Sequence, residues 1–220
     1  MTLDERLFHQ INEFSGSAVL DAWSALVRAS ELWILPALVI LALALWRGGK
    51  RARGTAILAL AVFTIGDTLC VWPTKIVFAR PRPDTVLNVR SVRLAPTSPR
   101  VLALIEPLAV NRVGPRPNVR GLRSFPSGHA WNTFALATVL VLWFRRWGWL
   151  AYMPAAAVAL SRVHAGLHWP SDIAASAILS VPVTVLLSFG LNAAWKRCIV
   201  PRCPRVGAAV PSLLPERDEA

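Results

Sequence analysis

The chain has 220 residues, 55% of them hydrophobic and only 16% charged, with ten tryptophans against one tyrosine. That is room for one domain, and the charged share falls short of the roughly one quarter usual in soluble domains, which points to a bilayer. The net charge of +12 suits anionic lipid or a phosphate substrate; it argues against nucleic acid, because the basic residues lie between apolar runs and no nucleic-acid module is visible.

Residues 1–14 are mixed and acidic where a cleavable signal would be basic, so the first apolar run is expected to remain as an anchor. Five apolar stretches follow, at 32–46, 55–72, 130–144, 149–160 and 173–194. A spanning helix needs about 20 residues, so the shorter runs must borrow flanking residues. Residues 3–20 read as an interfacial helix, and 16–30 as a sixth span if independent. The expected fold is therefore all-α, a polytopic membrane bundle of five or six helices over residues 1–197. Most tryptophans flank the runs, where interfacial anchors belong.

The Arg- and Pro-rich segment 75–126 separates spans two and three and reads as a long active-site loop. Within it, 101–110 is apolar but too short to cross, and is predicted as an interfacial or re-entrant helix. The tail from Cys198 to the end is Pro-rich and charged and reads as disordered and cytoplasmic. Cys70, Cys198 and Cys203 have neither the number nor the spacing of a disulfide framework or a zinc site.

Counting spans puts the ends of spans two and four and the starts of three and five on one face. The opposite face carries Arg47, Lys50, Arg51, Arg53, Arg145, Arg146, Lys196 and Arg197 in short connections, which marks it as cytoplasmic. The basic loop on the first face opposes this count, but a phosphate site needs such charges in either orientation.

Three clusters share that first face. Lys75-Ile-Val-Phe-Ala-Arg80-Pro81-Arg82-Pro83 closes span two, Pro126-Ser127-Gly128-His129 opens span three, and Ser161-Arg162 to His168-Trp-Pro170-Ser-Asp172 joins spans four and five. Together they suit phosphoryl transfer, which needs cations around the equatorial oxygens, an in-line nucleophile and an acid for the leaving oxygen. Lys75, Arg82 and Arg162 supply cations, the arginines through planar forks. Ser127 is a plausible N-cap, and Gly128 permits close approach of a phosphate to free amides. Pro170 forces a turn before the next helix. Asp172 there can orient the His168 ring for attack, with His129 as general acid and then base.

These residues resemble the three-part signature of the type 2 phosphatidic acid phosphatase superfamily, Lys-x6-Arg-Pro, Pro-Ser-Gly-His and Ser-Arg-x5-His-x3-Asp. The resemblance covers about residues 30–195. It implies His168 as nucleophile, Asp172 as its partner, His129 as acid and base, and Lys75, Arg82, Ser127, Gly128 and Arg162 as the phosphate cradle. It also implies a metal-independent enzyme without a cofactor, in keeping with the absence of a carboxylate cluster for two metals in the sequence. The implied substrate is a membrane lipid phosphate or diphosphate, undecaprenyl diphosphate first, then phosphatidylglycerophosphate, phosphatidate or the lipid A 1-phosphate. The expected setting is a bacterial inner membrane with an extracytoplasmic site, in an oligomeric state the motifs leave open. A lipid phosphotransferase with the same residues, or a catalytically silent lipid binder, are the rival readings. Of the remaining ionisable groups, Asp67 inside span two reads equally as functional or structural. Arg80 is outside the signature but beside the cradle. His164 forms a metal-like trio with His168 and Asp172 that Pro170 disrupts.

Overall fold

The computed structural model describes residues 1–14, 18–29, 31–115 and 123–215. The chain opens with α1 (Leu3–Asn12), started by a reciprocal cap in which the Thr2 side chain accepts from the Glu5 amide and Glu5 accepts from the Thr2 amide. After α2 (Ala18–Arg28) comes α3 (Glu31–Trp46), apolar on every side, so that Leu35, Leu38 and Ile40 all stay exposed. A helix apolar all round belongs in lipid.

α4 (Lys50–Ile65) runs through a π-helical turn (Gly66–Val71) into α5 (Trp72–Phe78), which ends at Ala79 in the left-handed region, φ 44°. The loop that follows holds α6 (Pro83–Val86) and two strands, β1 (Val89–Arg93) and β2 (Ala109–Val113). The strands pair antiparallel with Val89 opposite Val113 and Arg93 opposite Ala109. This departs from the all-α expectation locally. The predicted helix at 101–110 is only a 3-10 turn, Arg100–Leu104, followed by β2. Pro107 interrupts that run, and pairing with β1 satisfies backbone groups that one isolated turn could not.

α7 (Gly128–Gly148) breaks at Arg145, φ 38° and ψ −98°, and the chain turns back through Trp149–Ala151 into α8 (Tyr152–His164). The arms are antiparallel: Ala130 packs with Ala159 and Val163, while Thr138 and Tyr152 share a hydrogen bond of 2.8 Å. α9 (Pro170–Ala194) lies against α7 and buries Ser176, Ser180, Thr184 and Ser188, a stripe of small residues that lets helices approach closely. Among the described residues, three helical runs are long and apolar enough to cross a bilayer, Lys50–Phe78, Gly128–His164 and Pro170–Arg202. A fourth is counted if the bent pair α2 and α3 makes one span. Leu69, Val77, Ile178 and Leu186 point outward from these runs. So much outward apolar surface fits lipid better than water.

The tail differs from its expected disorder. Through residue 215 it is folded, with a π turn (Trp195–Ile199), α10 (Val200–Arg202) and α11 (Pro204–Ala209) leading to buried Val210, Leu213 and Leu214. Those three pack on Leu58, Val62, Val139 and Trp143. Trp143 donates to the Leu213 carbonyl at 3.1 Å and Trp195 to that of Val210 at 2.9 Å. The tail therefore supplies apolar surface that its charged composition hides, and two tryptophans expected as interfacial anchors hold it instead. Residues 216–220 lie outside the described residues.

Candidate active site

The turn that carries His168 is built by backbone rules. α8 ends when the amides of Gly166, Leu167 and His168 fold back onto the carbonyls of Val163 and Arg162, at 2.9, 3.0 and 3.3 Å. Gly166 takes φ +77°, and a Cβ there would meet Val89 at 3.0 Å. Only glycine suits that position. Trp169 is extended before Pro170, which takes the first helical position of α9, as the dipeptide demands. The turn is pinned from outside, since the Trp169 indole donates to the Pro81 carbonyl at 2.9 Å.

At this face a cavity of about 610 Å³ is lined by Asp67, Trp72, Lys75, Arg82, Arg123, Gly128, His129 and His168, together with Val71 and Ile76. The three sequence clusters thus meet in one wall. Gly128 and His129 begin α7, so their amides precede its first intrahelical bond, from Trp131 to the Ser127 carbonyl. A Cβ on Gly128 would meet only Val71 and Asp67, at 3.7 and 3.8 Å. Protein packing does not demand glycine there; the space it leaves belongs to the cavity. Arg82 is half-buried in the same wall, its Nε donating to the Arg123 carbonyl at 3.4 Å, and burial lowers its pKa.

Asp67 and Lys75 share the cavity because of the π turn. Eight residues of regular α-helix overshoot two full turns by roughly 80°. The wider π turn removes part of that offset, a common use of such turns at functional sites.

His168 is buried, and its pKa is pushed down to about 4. Burial is the main cause, Asp172 opposes it, and the charges of Arg82 and Lys75 reinforce it. The imidazole is neutral at pH 7. Its Nδ1 lies 3.8 Å from Oδ2 of Asp172 and makes no hydrogen bond, so the attraction across that gap is electrostatic. Asp172 is instead occupied elsewhere. Its Oδ1 accepts from Arg80 at 2.7 Å, and its Oδ2 accepts from the Trp169 amide at 2.9 Å and from the Ser124 hydroxyl.

Two other signature residues stand behind the wall. Ser127 is buried: its hydroxyl caps α7 by accepting from the Ala130 amide at 3.5 Å, and its amide donates to Ser176 at 2.9 Å. Arg162 is buried too, with Nη2 on the Val27 carbonyl at 2.9 Å and Nε without a partner. Arg80 does not join the cradle. The residues that sequence reading missed are Arg123, in the cavity wall, and Ser124, on Asp172; the Arg-rich loop offered no motif to single them out. His164 belongs to a separate buried knot, with Nε2 at 2.8 Å from Asp21 and its carbonyl accepting from Asn12 at 2.8 Å. Arg90 completes it, donating to Asp21 at 2.8 Å.

The PAP2 superfamily profile matches residues 54–195. The putative undecaprenyl-diphosphatase YbjG of Escherichia coli (strain K12) is 26% identical over 172 residues, covering 78% of this chain and 74% of that protein. The bacitracin transport permease protein BcrC of Bacillus licheniformis is 39% identical over 71 residues, 30% of this chain and 35% of that protein. An undecaprenyl-diphosphatase of Sulfolobus acidocaldarius is 39% identical over 64 residues, 29% and 31% of the two chains. The chain thus spans about a third of the length of those last two. The crystal structure of Aquifex aeolicus LpxE shares the fold, with a TM-score of 0.55 and 23% identity over 85% of this chain and 95% of that one.

Proposed function

The chain belongs to the PAP2 superfamily, and from that premise we propose that it is a membrane lipid phosphatase working through a phosphohistidine on His168. The observation that carries this reading is a cavity lined together by His129, His168, Lys75, Arg82 and Gly128 at the end of apolar spans. Polyprenyl diphosphate is our first substrate, supported by the likeness to two relatives named as undecaprenyl-diphosphatases, one of them putative; other lipid phosphates follow. We read five crossings, with the arms of the 128–164 hairpin counted separately, in a bacterial inner membrane. The site then faces the extracytoplasmic side, and the folded tail lies on the cytoplasmic side.

In this mechanism the phosphate sits against Lys75, Arg82, Arg123 and the amides of Gly128 and His129, which stabilise charge on its equatorial oxygens. Arg162 supports them from beneath. With Nδ1 toward Asp172, Nε2 of His168 attacks phosphorus as the bond to the leaving oxygen breaks, and His129 gives that oxygen its proton. His129 then takes a proton from water, which displaces His168 and releases phosphate. Neutral His168 is the form that can attack.

The test uses the full-length protein in detergent with a panel of lipid monophosphates and diphosphates. Rapid quench with labelled substrate should trap acid-labile, base-stable phosphate on the protein, and His168→Ala should abolish both the trapped label and phosphate release. Full turnover by His168→Ala would overturn the reading.

A further inference from the structure

We propose that Arg80 is a positioning residue for this site, holding Asp172 behind His168 and making the N-terminal helix α1 part of the active centre; the inference rests on the phosphatase reading above. Arg80 lies between two carboxylates from distant parts of the chain. One end of its guanidinium donates to Asp172 at 2.7 Å and to the Ser171 hydroxyl at 2.7 Å, and the other to Asp4 at 2.6 Å. Asp4 in turn accepts from the Ser171 amide at 2.9 Å and its hydroxyl at 2.6 Å. The start of α1 therefore grips the start of α9.

A planar fork with fixed donor directions can serve both carboxylates at once, whereas a lysine ammonium acts as a point charge. The guanidinium also lies 5.2 Å from the Trp169 ring centre, and Phe8 of α1 packs against the same indole with ring centres 5.4 Å apart. The residue after the nucleophile is thus held by Arg80, by α1 and by the Pro81 carbonyl. Asp172 is fully buried, so a carboxylate without this partner would be costly.

The consequence for His168 is electrostatic. The charged and titratable groups facing it are Asp172 from α9, Asp67 from the π turn, Lys75 from α5, Arg82 and Arg123 from the loop and His129 from α7, with Arg80 and Asp4 standing behind Asp172. Arg80 now shares the charge of Asp172. Without it, the carboxylate keeps only the hydrogen bonds from Ser124 and the Trp169 amide, and protonated His168 becomes its natural counter-ion. Protonation removes the nucleophile, so the acidic limb of the rate profile must rise.

The experiment measures kcat and KM across pH for the full-length wild type, Arg80→Gln, Arg80→Lys and Asp4→Asn, on the lipid phosphate that the wild type cleaves fastest. Arg80→Gln should lose about tenfold or more in kcat with KM within about twofold, as expected when positioning rather than binding is removed. Its acidic limb should move up by about one pH unit. Arg80→Lys, which keeps the charge without the fork, should restore the limb but not kcat. Asp4→Asn should lower kcat in the same direction, more mildly. A pH profile of Arg80→Gln superimposable on the wild type, or a loss confined to KM, would overturn the inference while leaving the phosphatase reading intact. Should Arg80→Gln fail to fold, Arg80→Lys decides, since wild-type kcat in that variant overturns the fork. No phosphate release by the wild type on any lipid would overturn both.

Discussion

At the scale of single residues, the site depends on which groups are kept apart as much as on which are joined. His168 and Asp172 stand 3.8 Å apart, while the carboxylate accepts from Arg80, Ser124 and the Trp169 amide. Such gaps at catalytic pairs can tighten once substrate arrives. With its pKa pushed down to about 4, chiefly by burial, His168 is neutral above that value and protonated below it. We expect kcat/KM, which reports the free enzyme, to hold at pH 5.5 and to collapse as pH falls through about 4; a limb near the ordinary histidine range would contradict the burial argument. Gly128 gives a second check. Because a Cβ there meets nothing closer than 3.7 Å, Gly128→Ala should fold with an unchanged melting temperature. It should nonetheless weaken inhibition by inorganic phosphate and lower kcat/KM by about tenfold, ~1.4 kcal/mol.

At the scale of elements, helix ends do most of the positioning. The π turn after α4 brings Asp67 and Lys75 to one cavity, the cap at Ser127 frees two amides, and the Gly166–Pro170 turn presents His168. The tail acts at the other end of the bundle. Leu213 is nearly inaccessible within a cluster that includes Leu58, Val139 and Trp143. Leu213→Ala should cost about 2–5 kcal/mol of stability, in the range for a buried leucine. Thermal unfolding in detergent should show this drop while activity at low temperature stays near that of the wild type. Loss of activity without loss of stability would mean that the tail reaches the site in another way.

At the scale of the whole molecule, the bundle separates a polar, cationic end from an apolar middle whose side chains face outward. An amphiphile can leave its tail in lipid while its phosphate enters the cavity, which is why the geometry favours a lipid over a soluble phosphate ester. Cys198 and Cys203 are exposed at the tail end, and the proposed topology puts them in the cytoplasm. In a Cys70→Ala background, a membrane-impermeant maleimide should label them in permeabilised cells and leave them untouched in intact ones. Labelling in intact cells would invert the orientation.

The sequence alone determined the membrane setting, the three clusters, the turn at Pro170 and the helix start at Ser127. Each follows from apolar run length, proline sterics or capping chemistry, which act over a few neighbouring residues. It did not reveal Arg80 as the partner of Asp172, Ser124 on the same carboxylate, Arg123 in the cavity wall, or a tail that folds. Nor did it reveal the two strands inside the loop. Those depend on contacts between residues as far apart as Asp4 and Ser171, and one arginine among many in a basic loop carries no local mark of the carboxylate it will meet. The tertiary structure decided them because a buried carboxylate must be paired wherever the chain brings it, and only the assembled bundle fixes which cation is there.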